Sequence, residues 1–346
     1  MDYFIKMILD CTLRDGGYTN NWAFTREQVV DNYSACKNSH VDFCEVGFRR
    51  TDPDLEFGIW YNSNEDIINE TLRDVVDDSC KIALMAQMGT FTIDDFVPKS
   101  QSLVSMVRVL IAYHCKNKND SVLDVELLHQ TCDMVEKLKQ LGYIVTVNIG
   151  RIDKMSNEQI EESCKILSKC SPEYLYIADT YGNLGIVKMK SILGTIKSCY
   201  SGKIGFHAHD NLLNASVKTI DAMYNGCDIV DSTIGGLGRG SGNAKTELII
   251  AHFLMSGNTK YDLFPVLEYG EKWISTYKKN HVLYFITGMH SMHVNYAIHL
   301  IEKYSLTLKQ CYRVLSEIVK LEKHHFFDAT VLRTVCDSLK LDHHDQ

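Results

Sequence analysis

Tyr174-Leu175-Tyr176-Ile177-Ala178, Lys203-Ile204-Gly205-Phe206-His207-Ala208 and Asp228-Ile229-Val230-Asp231-Ser232-Thr233 are the runs whose reading decides the fold. Each is short, β-rich and largely apolar, and an amphipathic stretch separates each from the next. Strands covered on both faces read as near-continuous apolar runs, which marks a parallel sheet under helices. Five more such runs lie upstream, at Met7–Cys11, Val41–Phe48, Lys81–Ala86, Ser105–Ile111 and Tyr143–Ile149. Thr25-Arg26-Glu27-Gln28 and Ser156-Asn157-Glu158-Gln159 fit the capping box, in which hydroxyl and amide side chains satisfy free backbone N–H groups. The third and fourth runs lie close together, so a stunted helix is expected between them. Eight βα units argue for a closed (β/α)₈ barrel over an open doubly wound sheet, although periodicity alone admits both.

A barrel needs about 250 residues, and the chain has 346. From about Tyr261 the alternation stops and helical patterns run to the end. The expected division is a catalytic barrel over 1–260 and a helical extension over 261–346, packed over the barrel mouth. The final His343-His344-Asp345-Gln346 is expected to fray. A net charge of −8 gives no basic footprint for nucleic acid or an anionic membrane. No apolar run approaches the ~18 residues of a membrane span. The twelve cysteines include no C-x-x-C pair, so a thiolate zinc site has no support. With no signal peptide, the expectation is a cytoplasmic protein with reduced thiols.

Barrel enzymes carry their chemistry at the C-terminal ends of strands. Those ends hold Arg14, Asp15, Glu45, Arg108, Asn148, Asp179, His207, His209 and Asp231. His207 and His209 are two apart on a strand, so both imidazoles point to one side. Two imidazoles and a carboxylate make a facial site for a divalent ion, and Asp15 is the natural carboxylate. An isolated H-x-H pair is more often structural, and its weight here comes from the motif at the first strand.

That motif, Asp10-Cys11-Thr12-Leu13-Arg14-Asp15-Gly16-Gly17, resembles the D-x-T-L-R-D-G signature of the DRE-TIM metallolyases. Val107-Arg108-Val109 with His114-Cys115, and Ile177-Ala178-Asp179-Thr180, are similar to further segments of the 4-hydroxy-2-oxovalerate aldolase branch. So are Gly205-Phe206-His207-Ala208-His209-Asp210-Asn211-Leu212 and Gly236-Leu237-Gly238-Arg239-Gly240-Ser241-Gly242-Asn243-Ala244. The resemblance implies Mn²⁺ or Mg²⁺ on Asp15, His207 and His209, with Asn243 as a further ligand. A 2-oxo acid would chelate that ion, and Arg14 would stabilise the enolate left by bond cleavage. Arg14 can also be read simply as an ion pair to Asp15 or Glu45. Glu45, Arg108, Asp179 and Arg239 fall to substrate binding or to support of the ligands.

Two positions depart from the branch. Where the aldolases have an acid/base histidine and the related synthases a glutamine, this chain has Tyr18. Where they have a tail tyrosine in G-x-Y-S, it has His290 in Gly288-Met289-His290-Ser291. An exchanged Tyr18/His290 proton-transfer pair is expected, the alternative being that both are space-filling aromatics. The reaction implied is cleavage of a 4-hydroxy-2-oxo acid to pyruvate and an aldehyde, or its reverse. A Claisen-type acyl-CoA synthase or lyase and a non-catalytic metal-binding barrel are the alternatives. Such aldolases often bind an aldehyde dehydrogenase through the tail, and divergence there argues against that partner. A homo-oligomer is left open, as is the aldehyde half of the substrate.

Overall fold

Eight parallel strands close on themselves in chain order: β1 Met7–Asp10, β2 Phe43–Phe48, β3 Lys81–Gln87, β4 Val104–Ile111, β5 Ile144–Ile149, β6 Tyr174–Asp179, β7 Lys203–Ala208 and β8 Ile229–Ser232. Pairing of Met7 with Ile229 and of Asp10 with Ser232 seals the barrel between β1 and β8. This is a computed structural model, and it describes residues 6–52, 54–112, 123–274, 282–321 and 324–341. His114, Cys115 and residues 343–346 lie outside the described residues. The strand runs read from sequence agree with the strands to within about two residues at each end.

Helices α1 Thr12–Gly16 and α2 Arg26–Asn38 follow β1, and α3 Glu65–Leu72 follows β2. α4 Val125–Gln140, α5 Asn157–Leu167, α6 Ile186–Cys199, α7 Ala215–Tyr224 and α8 Thr246–Met255 follow β4 to β8 in turn. Both expected capping boxes form, at Thr25 on α2 and at Ser156 on α5. Only two single 3₁₀ turns, Ile93–Asp95 and Lys99–Gln101, bridge β3 and β4, in keeping with the short spacing there.

Two-residue periodicity sorts the barrel interior into layers. Phe43, Met106 and Ile229 belong to the apolar plug with Leu9, Ala83 and Tyr174. Two residues further along each strand stand Glu45, Arg108 and Asp231, all buried. These three strands therefore spend their lower half on packing and their upper half on chemistry, whereas β6 continues the plug with Tyr176.

Beyond the barrel come α9 Phe264–Tyr269, α10 Val282–Met289, α11 Asn295–Lys303, α12 Leu308–Val319 and α13 Ala329–Ser338. Tyr261, Val266, Tyr269 and Ile274 still join the large core around the barrel. Leu283, Met292, Tyr296, Leu300, Leu315 and Cys336 build a second core of their own. The two bodies touch on loops that follow β5 to β8, with Gly288 against Asn211 and Val294 against Gly240. Asn183 donates to the Ser291 hydroxyl, the Tyr181 hydroxyl to the His325 carbonyl at 3.4 Å, and Arg151 lies 4.5 Å from the Phe326 ring centroid.

Candidate metal centre

The turn out of β1 is built by side chains that make no contact with the outside. Asp10 accepts the backbone N–H of Thr12 at 3.0 Å and the hydroxyls of Thr12 and Thr246 at 2.9 and 2.8 Å. Thr12 in turn accepts the N–H of Ile234 at 2.7 Å, tying β1 to the loop after β8. The chain then coils at once into α1, which carries Arg14 and Asp15 into the barrel end. Gly17 follows because the Trp22 ring lies against it, and a Cβ there would come within 2.2 Å of that ring. Trp22 itself holds a left-handed φ of 56° and donates its indole N–H to the Arg14 carbonyl at 2.9 Å.

Six side chains close a ring around the barrel axis. Arg14 lies 3.1 Å from Asp15 and 2.7 Å from Glu45, and Glu45 lies 3.0 Å from Arg108. Arg108 bonds to Asp231, Asp231 meets His207 Nδ1 at 2.9 Å, and His207 Nε2 faces Asp15 at 3.2 Å. All six are buried, and in a low-dielectric interior such a network persists only when its charges are paired. The Nδ1 contact to Asp231 fixes the imidazole so that Nε2 is the free ligand atom, as in metal-bound histidines.

Among the described residues, two sets of three groups have ligand atoms within 4.8 Å of one another: Asp15, His207 and His209, and Cys11, His207 and Asp231. The second set is otherwise engaged. Cys11 bonds to the Ser232 carbonyl, and burial pushes its thiol well up. Asp231 is neutralised by Arg108. In the first set Asp15 Oδ1 is buried with no partner, while Oδ2 faces Arg14 Nη1 at 3.1 Å and His207 Nε2 at 3.2 Å. Burial alone would raise the Asp15 carboxyl, but Arg14, His209 and His207 hold it well below the usual range. Burial lowers His209 to about 3, so it is neutral and ready to ligate near pH 7. Burial also opposes charge on His207, yet hydrogen bonds to Asp15 and Asp231 raise it above its ordinary value. The Asn243 side-chain oxygen is buried and unpartnered too, and its backbone bridges to His209. Such oxygens beside two imidazoles suit a divalent cation, so the residues present fit the metal that the motif implies.

The remaining expected site residues divide. Tyr18 lines a cavity of about 510 Å³ with Arg239, whose guanidinium lies 5.1 Å from the Tyr18 ring centroid. Asp179 stands apart from the ring: it bonds to the buried Lys218 and accepts the N–H groups of Asn183 and Leu184 at 3.1 Å. His290 is half-buried in the turn after α10, off the cavity wall that Tyr18 lines. That turn is anchored elsewhere, through Ser291 to Asn183 and His325. Three residues on, His293 lies in the field of Arg239 and Arg151, which with burial lower it to about 3. The ring-closing part of Asp231 is visible only in three dimensions, because its spacing from His207 carries no local pattern. Trp22 and Lys218 gave no signal in the sequence.

Comparison with known proteins agrees with this geometry. The chain is 27% identical over 272 residues to a 4-hydroxy-2-oxovalerate aldolase of Brevibacillus brevis, covering 78% of this chain and 76% of that protein. It is 28% identical over 267 residues to one from Chloroflexus aggregans, covering 76% and 74%. The fold matches a Bacillus subtilis HMG-CoA lyase with a TM-score of 0.66 at 16% identity, over 81% of this chain and 96% of that one. The HMGL-like family pattern matches residues 6–271. With that match over most of its length, the chain belongs to the HMGL-like (DRE-TIM) family of enzymes.

Proposed function

We propose that this enzyme is a divalent-metal-dependent aldolase that cleaves a 4-hydroxy-2-oxo acid to pyruvate and an aldehyde, or runs the reverse addition. The observation that carries the reading is the Asp15, His207 and His209 cluster, with Asp15 Oδ1 buried and unpartnered and Arg14 paired to Oδ2. Relatives named as 4-hydroxy-2-oxovalerate aldolases support the choice of reaction. A Mn²⁺ or Mg²⁺ ion held by Asp15, His207 and His209, with Asn243 as a further donor, would supply Lewis-acid charge to a 2-oxo acid.

The side chains of this chain do the rest. Glu45 clamps Arg14 Nε, leaving the guanidinium facing Asp15 as fixed positive charge where an oxyanion develops. Because the ring around it is already paired, that charge needs no reorganisation during reaction. In cleavage, the C3–C4 electron pair passes to the pyruvate fragment, and C4 becomes the aldehyde carbonyl as its hydroxyl gives up a proton. A proton returned to C3 completes pyruvate. Tyr18 is the group proposed to hold the hydroxyl proton; its ring is fixed edge-on against Trp22 with centroids 4.6 Å apart. The role that the sequence shared between Tyr18 and His290 therefore falls, in this proposal, on Tyr18.

Steady-state assays with 2-oxo acids and with acyl-CoA thioesters, with and without Mn²⁺, test the reading. Metal-dependent release of pyruvate supports it, and Tyr18→Phe should lower that turnover by about 10²–10⁴-fold while metal stays bound. Turnover of acyl-CoA thioesters alone, or of neither class, would reject it.

A further inference from the structure

The cavity beside the ring is lined by two cations, Arg239 and Lys245. Arg239 and Lys245 are half-buried on its wall, and neither forms an ion pair among the described residues. Between them runs the glycine-rich loop after β8, with left-handed φ values at Gly235, Gly236, Gly240 and Gly242. The N–H groups of Gly235, Gly236, Leu237, Ser241, Gly242, Asn243 and Lys245 all find acceptors. Those of Gly238, Arg239 and Gly240 find none among the described residues. Three successive free donors flanked by two unpaired cations make a concave anion receptor of the kind that cradles phosphate. Two carboxylates share the wall, Asp210 and Glu302. Asp210 accepts the Ala215 N–H at 2.7 Å at the start of α7 and lies in the field of Lys218 and Lys245 without an ion pair to Lys245 among the described residues, so two cations and three donors stand against Glu302 and a partly engaged Asp210.

The residues of the metal-competent cluster do not themselves line the cavity, but two of their neighbours join it to them. Tyr18 is three residues from Asp15, and Arg239 stacks on Tyr18. Loop residue Asn243 bridges by its backbone to His209. A molecule seated on the cluster that reaches Tyr18 would therefore stand at the edge of this receptor. We propose that the cavity holds a phosphate at the far end of the aldehyde half, so that this enzyme's substrate is a phosphorylated 4-hydroxy-2-oxo acid. Phosphate is favoured over a carboxylate because a dianion balances two cations, whereas a monoanion leaves one of them uncompensated. The inference rests on the aldolase reading for its chemistry, but the receptor stands on its own geometry.

The test has two arms on the full-length chain. In the first, inorganic phosphate is titrated calorimetrically into wild type, Lys245→Met and His207→Ala. Binding in wild type and His207→Ala, weakened about 10–100-fold in Lys245→Met, supports the receptor. Absence of binding in wild type overturns it. In the second arm, condensation of pyruvate with glyceraldehyde 3-phosphate, succinic semialdehyde and acetaldehyde is compared in the presence of Mn²⁺. The ratio of kcat/KM for the phosphorylated over the neutral aldehyde should fall by about 10–100-fold in Lys245→Met and in Arg239→Gln. Equal use of all three aldehydes, or preference for the carboxylate-terminated one, overturns the inference while leaving the aldolase reading intact. Phosphate binding without condensation of any aldehyde overturns the aldolase reading and the substrate with it, and leaves the anion receptor standing.

Discussion

His207 is held at both ring nitrogens, by Asp231 at Nδ1 and facing Asp15 at Nε2, and this makes the proposed ligand set separable by substitution. His207→Ala and His209→Ala should each remove most bound Mn²⁺ by elemental analysis while the circular dichroism spectrum is kept. Asp231→Asn keeps all the ligands but loosens the imidazole, and a loss of metal affinity of about 10–100-fold is expected. Full occupancy in both alanine variants would remove the assignment. His293 allows a different measurement. Burial and the charges of Arg239 and Arg151 lower it to about 3 in the folded chain, against about 6.5 when unfolded. Between those values the unfolded state binds the extra proton, so stability is lost as pH falls from about 6.5. Urea denaturation from pH 7 to pH 4.5 should show a steeper loss in wild type than in His293→Gln. The difference should reach up to about 1.4 kcal/mol per pH unit, and parallel curves would exclude the effect.

At the scale of elements, the loop from Gly235 to Asn243 is where backbone shape decides function. Gly242 has a φ of +92°, and a Cβ there would sit 1.8 Å from the Gly236 carbonyl. That same carbonyl accepts the Asn243 N–H at 3.2 Å. Gly242→Ala should therefore cost about 1–3 kcal/mol in urea denaturation and disturb the bridge between Asn243 and His209. An unchanged midpoint would show that the loop relaxes freely. The strands and capped helices were legible in the sequence because their signals are local: apolar runs, and hydroxyl-x-x-glutamine boxes at Thr25 and Ser156. Asp15, His207 and His209 were legible for a related reason, since a strand-end motif and a two-residue spacing carry their geometry. The position of His290 was not, because it depends on which loops the turn after α10 is anchored to. Ser291 ties that turn to Asn183 and His325, and no pattern within 288–291 encodes such a long-range choice. The partner of Asp179 was equally illegible, because Lys218 lies 39 residues away in the sequence.

Over the whole molecule two hydrophobic cores are distinct, one around the barrel and reaching Ile274, the other from Leu283 to Cys336. We propose that the barrel of 1–260 is the catalytic body and that the helices of 261–346 cover its mouth, because the contacts between them fall on loops after β5 to β8. Leu315 is fully buried in the second core, and Leu315→Ala should cost that core about 2–5 kcal/mol. Hydrogen exchange should then accelerate in α10 to α13 and leave β1 to β8 protected; uniform acceleration would mean that the two bodies unfold as one. The chain also has only three tryptophans, Trp22, Trp60 and Trp273. Trp22 is bonded through its indole to the residue next to Asp15, while Trp273 is tied to Asp31 on α2. The protein thus carries its own optical probe at the proposed ion site. Paramagnetic Mn²⁺ should dim the emission of Trp22 in proportion to loading, Mg²⁺ should compete that dimming away, and a Trp22→Phe protein should lose the response. An Mn²⁺ titration that leaves wild-type emission unchanged would place the ion elsewhere.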